Sequence, residues 1–217
     1  MPIHSKYQNN SFELLVWNIT EPTSFFIEKL SLSTESVKEL NQNFSHQNSL
    51  LQWLASRFVL QILFNRPYTD FIKNEKGKLE IIDNSCNLSI SHSQNKIVVV
   101  RSAQKIGIDI QLSTPKLFRI ATKYIDHLTL HKLQSSQCYN DYLHIYWGVK
   151  EALFKAFGLG QLNFIKDLHL MPFVFQDEGH TTAKVIKDNF EINYHVFYQK
   201  KEDFYLCIVI EESLEIS

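Results

Sequence analysis

Apolar residues recur every three to four positions in two long stretches of the chain and at every second position in most others. Leu50–Phe64, LLQWLASRFVLQILF, puts Leu51, Leu54, Ala55, Phe58 and Ile62 on one helical face. Tyr146–Gly158, YWGVKEALFKAFG, does the same with Val149, Ala152, Leu153, Ala156 and Phe157. Its end is marked by Gly158 and Gly160, which suit a left-handed cap. Shorter helices are predicted over Ser24–Leu32, from Ser33 onward, and over Pro115–Leu133. Strands are predicted at Phe12–Asn18, Leu79–Ile82, Asn87–His92, Lys96–Ala103 and Ile106–Ile110. Four more, Leu168–Phe175, Thr181–Ile186, Phe190–Tyr198 and Phe204–Ile210, read as an antiparallel meander. Each half thus holds a long helix and a run of strands, with the break near residues 105–115, which indicates an α+β fold.

Certain polar residues interrupt these patterns. Arg57 lies off the centre of its helix stripe, so its guanidinium sits at the core edge, either solvated and ion-paired or facing a ligand. Ile106, Ile108 and Ile110 share one face of their strand; Gly107, Asp109 and Gln111 share the other. An aspartate among isoleucines calls for a partner, whether an arginine, backbone donors or a metal. Glu151 and Lys155 stand one turn apart, opposite the apolar stripe. That spacing fits a surface ion pair as well as a functional one. His127 and His131 have a zinc-compatible spacing, but no third ligand accompanies them, and a solvated face is the simpler reading.

Composition narrows the classes. The chain has 217 residues, one large domain or two small ones, and an apolar share of 44%, enough for a core. A formal charge of −1 argues against a non-specific nucleic-acid binder. No apolar run approaches the length of a membrane span, and the polar N-terminus MPIHSKYQNN has no signal core. Three scattered cysteines, Cys86, Cys138 and Cys207, read as reduced thiols of a cytoplasmic protein.

SISHS (Ser89–Ser93), GIDIQ (Gly107–Gln111) and WGVKEALFKAFG (Trp147–Gly158), with NEKGK (Asn74–Lys78) and the Arg57 helix upstream, resemble the 4′-phosphopantetheinyl transferase superfamily in order and spacing. Length and the helix-then-strands second half are similar to the larger, monomeric type that activates peptide and polyketide synthases. The resemblance implies two pseudo-symmetric α/β subdomains, 1–108 on the coenzyme A side and 109–217 carrying the metal and catalytic helix. Each would pack a long helix on an antiparallel sheet, with the active site in the cleft between them. It implies Mg²⁺-dependent transfer of the phosphopantetheine arm from coenzyme A to a serine of an apo acyl or peptidyl carrier protein, releasing adenosine 3′,5′-bisphosphate. Asp109, Glu151 and Lys155 would be catalytic, and Asp109, Glu151 and Gln111 would hold the metal. Arg57, Lys78, Ser91, His92, Lys150 and Lys155 would bind coenzyme A. A monomer without nucleic-acid or membrane partners is implied.

Two positions and one stretch depart from the family pattern. Gln111 stands where a second acidic ligand is common, and Leu79 replaces the proline of a GKP-like turn. No Lys or Arg occurs between Lys38 and Arg57, where relatives often carry basic residues. Gly148 in the WxxKE run is small, and no direct cost follows from it. A non-catalytic relative that binds coenzyme A or a carrier protein is the alternative. An α+β interaction protein with accidental motifs is a third reading.

Overall fold

The computed structural model describes residues 3–158 and 160–213. The first half contains β1 (Ile3–Gln8), β2 (Glu13–Asn18), α1 (Thr23–Lys29), α2 (Thr34–Asn43), α3 (Gln47–Phe64), β3 (Phe71–Lys73), β4 (Leu79–Ile81), β5 (Asn87–Ser93) and β6 (Lys96–Ser102). Then come β7 (Ile106–Leu112), α4 (Lys116–Ile120), α5 (His127–Gln134), α6 (Tyr139–Phe157), β8 (Leu168–Leu170), β9 (Glu178–Lys187), β10 (Phe190–Lys200) and β11 (Phe204–Glu211). One antiparallel sheet has the order β1-β2-β6-β5; the other has β7-β11-β10-β9-β8. A small hairpin, β3-β4, stands apart. The mixed α+β class read from the sequence holds.

The two sheets and two long helices stack as four layers. Leu15, Trp17, Ile97 and Val99 on one face of the first sheet bury themselves against Leu54, Ala55 and Val59 of α3. The opposite face, with Leu14, Val16, Val98 and Val100, meets Ile106, Ile108 and Ile110 of β7 and Leu206, Ile208 and Ile210 of β11. Cys207 and Val209 on the far side of β11 pack on Val149, Ala152 and Leu153 of α6. Strands β6 and β11 are therefore covered on both faces, and so they read as unbroken apolar runs instead of alternating ones.

Some expectations are corrected. α6 starts at Tyr139, a full seven residues before the stretch singled out in the sequence, because its first two turns also bury Leu143 and His144. The expected strand at Leu168–Phe175 is a strand only to Leu170. β1 lies in the polar N-terminal stretch, where an edge strand leaves no apolar run to find. On α3 the buried face is wider than the expected stripe: Leu54 and Ala55 are buried as expected, but so are Val59, Leu60 and Leu63, while Ile62 is exposed and Arg57 is only 9% exposed. A side chain at Gly148 would carry a cost, since a Cβ there would lie 2.7 Å from Cys207 Sγ.

Buried His144 ties two segments together. Its Nε2 accepts from the Thr114 backbone N–H at 3.0 Å, and its Nδ1 donates to the Asn140 carbonyl at 2.8 Å. The loop leaving β7 is thereby pinned to α6. Burial holds this imidazole below its usual value.

Candidate active site

β5 and β7 run side by side where the two sheets meet. Alternate serines of β5 reach across: Ser89 Oγ accepts from Ile108 N at 3.1 Å, and Ser93 Oγ accepts from Leu112 N at 3.2 Å. Between them, Ser91 Oγ donates to Asp109 Oδ1 at 2.8 Å. Alternation along the strand gives all three the same direction. It also places Asp109 on the face of β7 that α6 covers.

Gly107 permits the close approach of α6. A Cβ at this position would stand 1.9 Å from the Ala152 carbonyl oxygen. With the helix so near, Lys155 Nζ reaches Asp109 Oδ1 at 2.8 Å, Ser91 Oγ at 2.9 Å and the Ile108 carbonyl at 3.0 Å. Glu151, one turn earlier, is half-buried. Its carboxyl is raised above the usual value, first by burial and then by the nearby Asp109 charge, with Lys155 opposing. Two carboxylates, one on a strand and one on a helix, thus feel each other across this point. Among the described residues no cluster of three or more His, Cys, Asp or Glu side chains forms a metal cage. Two carboxylates fit Mg²⁺ all the same, because that ion is commonly held by one or two carboxylates plus ligand phosphates.

Beside this point lies a cavity of about 510 Å³. Arg57 and Trp53 of α3 form one wall, and Lys73, Lys76, Gly77 and Lys78 of the β3-β4 hairpin form another. His92, Phe154 and Lys155 complete the side nearest the carboxylates. No Asp or Glu lines it. Lys78 Nζ donates to the Ala156 carbonyl at 3.4 Å, at the C-terminal end of α6, where a cation is favoured. Burial holds its ammonium below the usual value. Desolvation and the Lys155 charge draw His92 toward neutral, with Asp109 opposing.

The structure brings Asp109, Glu151, Lys155 and Ser91 to one point, and Arg57, Lys78, His92 and Lys155 to the adjoining cavity. Two residues stand elsewhere. Lys150 lies a fraction of a turn round α6, is 4% exposed, and donates to the Phe164 carbonyl at 2.5 Å. Burial lowers its pKa to about 8. Gln111 directs Nε2 to the Leu112 carbonyl at 2.9 Å. Lys73, Lys76 and Trp53 went unnoticed in the sequence. Lys76 sits inside the recognised NEKGK turn, which was its one signal, and Lys73 lies on a three-residue strand with none.

A sequence model of the 4′-phosphopantetheinyl transferase superfamily matches residues 105–209, the stretch from β7 into β11. The chain is also similar to the 4′-phosphopantetheinyl transferase gsp of Aneurinibacillus migulanus, 28% identical over 159 residues. That match covers 70% of this chain and 63% of the relative. The 4′-phosphopantetheinyl transferase Sfp of Bacillus subtilis (strain 168) is 27% identical over 144 residues, covering 60% of this chain and 62% of the relative. The matches thus span a little under two thirds of each relative's length.

Proposed function

We propose that this chain, which belongs to the 4′-phosphopantetheinyl transferase superfamily, transfers the 4′-phosphopantetheine arm of coenzyme A to a serine of an apo acyl or peptidyl carrier protein. The observation that carries this reading is the Lys155 ammonium joined to Asp109 and Ser91 at the edge of a cavity walled by cations. A polyphosphate ligand suits such a cavity, because each charge-assisted contact is strong where water is excluded.

The carrier serine oxygen attacks the phosphorus that bears the pantetheine arm. A new P–O bond forms, the bridging P–O bond of the pyrophosphate breaks, and adenosine 3′,5′-bisphosphate leaves. We assign the serine proton to Glu151, whose raised carboxyl pKa makes it a better base than an ordinary glutamate. Lys155 is placed to face the charge on the phosphoryl oxygens. Asp109 and Glu151 would hold Mg²⁺, which when bound offsets negative charge on the pyrophosphate. Gln111, with its amide turned to Leu112, serves better as a support of the β7 end than as a ligand. Lys150 serves as the anchor of the Phe164 segment. We place the activity in the cytoplasm, where Cys86, Cys138 and Cys207, all free thiols, remain reduced, and in a monomer.

Incubation with coenzyme A, Mg²⁺ and a panel of apo carrier proteins tests this directly. The expected result is a mass gain of one phosphopantetheine on a carrier serine. Coenzyme A binding with no mass gain on any carrier would overturn transfer and leave the non-catalytic binder.

A further inference from the structure

Lys155 has no hydrogen left to give. A lysine ammonium carries three N–H donors and accepts nothing. All of them are matched, by Asp109 Oδ1 at 2.8 Å, Ser91 Oγ at 2.9 Å and the Ile108 carbonyl at 3.0 Å. The direction of the next bond follows. Ser91 accepts from Lys155, so its one hydroxyl proton goes to Asp109 Oδ1 at 2.8 Å. A single carboxylate oxygen thus takes hydrogens from both Ser91 and Lys155. The ammonium also acts on Glu151, where burial and the Asp109 charge raise the carboxyl pKa and Lys155 opposes them. It therefore stands against both carboxylates assigned to the metal.

Lys155 nevertheless lines the cavity, and its side chain keeps 27% exposure against 9% for Asp109. A phosphoryl oxygen there can take an N–H from this ammonium only when one of its bonds is released. The Ser91 hydroxyl and the Ile108 carbonyl are uncharged acceptors on β5 and β7. The remaining acceptor is the Asp109 carboxylate. A divalent cation on that carboxylate repels an ammonium held at the same group, so this bond is the one that yields. We propose that Lys155 is the exchangeable counter-ion of Asp109. A divalent cation displaces the ammonium from Oδ1, Ser91 and the Ile108 carbonyl keep it seated, and the N–H set free turns to the phosphoryl oxygen. Metal binding and phosphate binding are thereby coupled through one side chain. The inference rests on the transferase reading above, but the metal affinity that tests it is measured without coenzyme A or carrier.

Mn²⁺, which binds more tightly than Mg²⁺ to such ligands, is titrated calorimetrically into wild type and Lys155→Met. The variant is expected to bind Mn²⁺ about ten-fold or more tightly, because one like charge beside the ion is gone. Its melting temperature should also rise more with added Mn²⁺ than that of wild type. A second measurement needs no variant, and so stands even if Lys155→Met does not fold. With all its donors bonded, the Lys155 ammonium of wild type exchanges its hydrogens slowly with water, and added Mg²⁺ is expected to speed that exchange, followed by nitrogen NMR. Transfer to an apo carrier is assayed in parallel. Unchanged or weaker Mn²⁺ binding by folded Lys155→Met, or ammonium exchange that Mg²⁺ leaves unaltered, overturns the counter-ion exchange even where wild type transfers. Tighter binding by the variant and faster exchange in wild type, with no transfer to any carrier, overturn the transferase reading and keep the counter-ion exchange.

Discussion

At the scale of single residues, Glu151 combines two opposed demands. Burial and Asp109 both disfavour its ionised form, so its folded pKa lies above the unfolded one. Such a group contributes stability below the unfolded value and loses that contribution as pH rises through the folded value. At neutral pH the ionised carboxylate is therefore a burden on the metal-free protein. Glu151→Gln is expected to cut transfer by about 100-fold or more while raising the melting temperature of the metal-free protein. Loss of transfer with a lowered melting temperature would instead point to a structural role. His144 has the opposite sign. Its folded pKa is depressed, so its contribution is full above the unfolded value and is lost as pH falls toward the folded one. A second proton on Nε2 would also break the bond from Thr114. Melting temperatures between about pH 7 and pH 5 should thus fall more steeply for wild type than for His144→Gln.

The elements show where sequence reasoning succeeds and where it stops. The face of β7 carrying Asp109 was legible because a strand alternates strictly, and Ile106, Ile108 and Ile110 fix its phase. The α6 stripe was legible for the same kind of reason: Val149, Ala152 and Leu153 are fully buried. α3 was misread because it is covered on most of its circumference, which flattens the periodic signal and hides Arg57 inside it. The side-chain direction of Lys150 depended on the loop at Phe164, a tertiary partner with no local trace. Gly107 was named only as a neighbour of Asp109, yet it sets the distance between β7 and α6. Gly107→Ala must push the helix off the strand, and a loss of about 2–4 kcal/mol in unfolding free energy is expected by denaturant titration. Transfer should fall more than stability, since Lys155 would retreat from Asp109 with the helix.

At the scale of the whole molecule, the cavity draws on α3, the β3-β4 hairpin, β5 and α6, so both halves of the chain must be docked for it to exist. Its charge is one-sided although the protein as a whole is nearly neutral, with a formal net charge of −1. Coenzyme A binding should therefore weaken with added salt, and the KM for coenzyme A should rise several-fold between about 0.05 and 0.5 M salt. Chelation of divalent ions is expected to stop transfer while coenzyme A still binds, more weakly, through the cations alone. Among the described residues no helix is long and apolar enough to cross a membrane.

The three serines of β5 also set a clock on the junction they make. Amides of Ile108 and Leu112 are sheltered by single hydroxyl groups that belong to the other sheet. Their exchange with deuterated solvent therefore reports how often the two halves part, without requiring either half to unfold. Ligand spanning α3 and α6 would slow that exchange at these two amides more than anywhere within either sheet, which makes them a local gauge of occupancy.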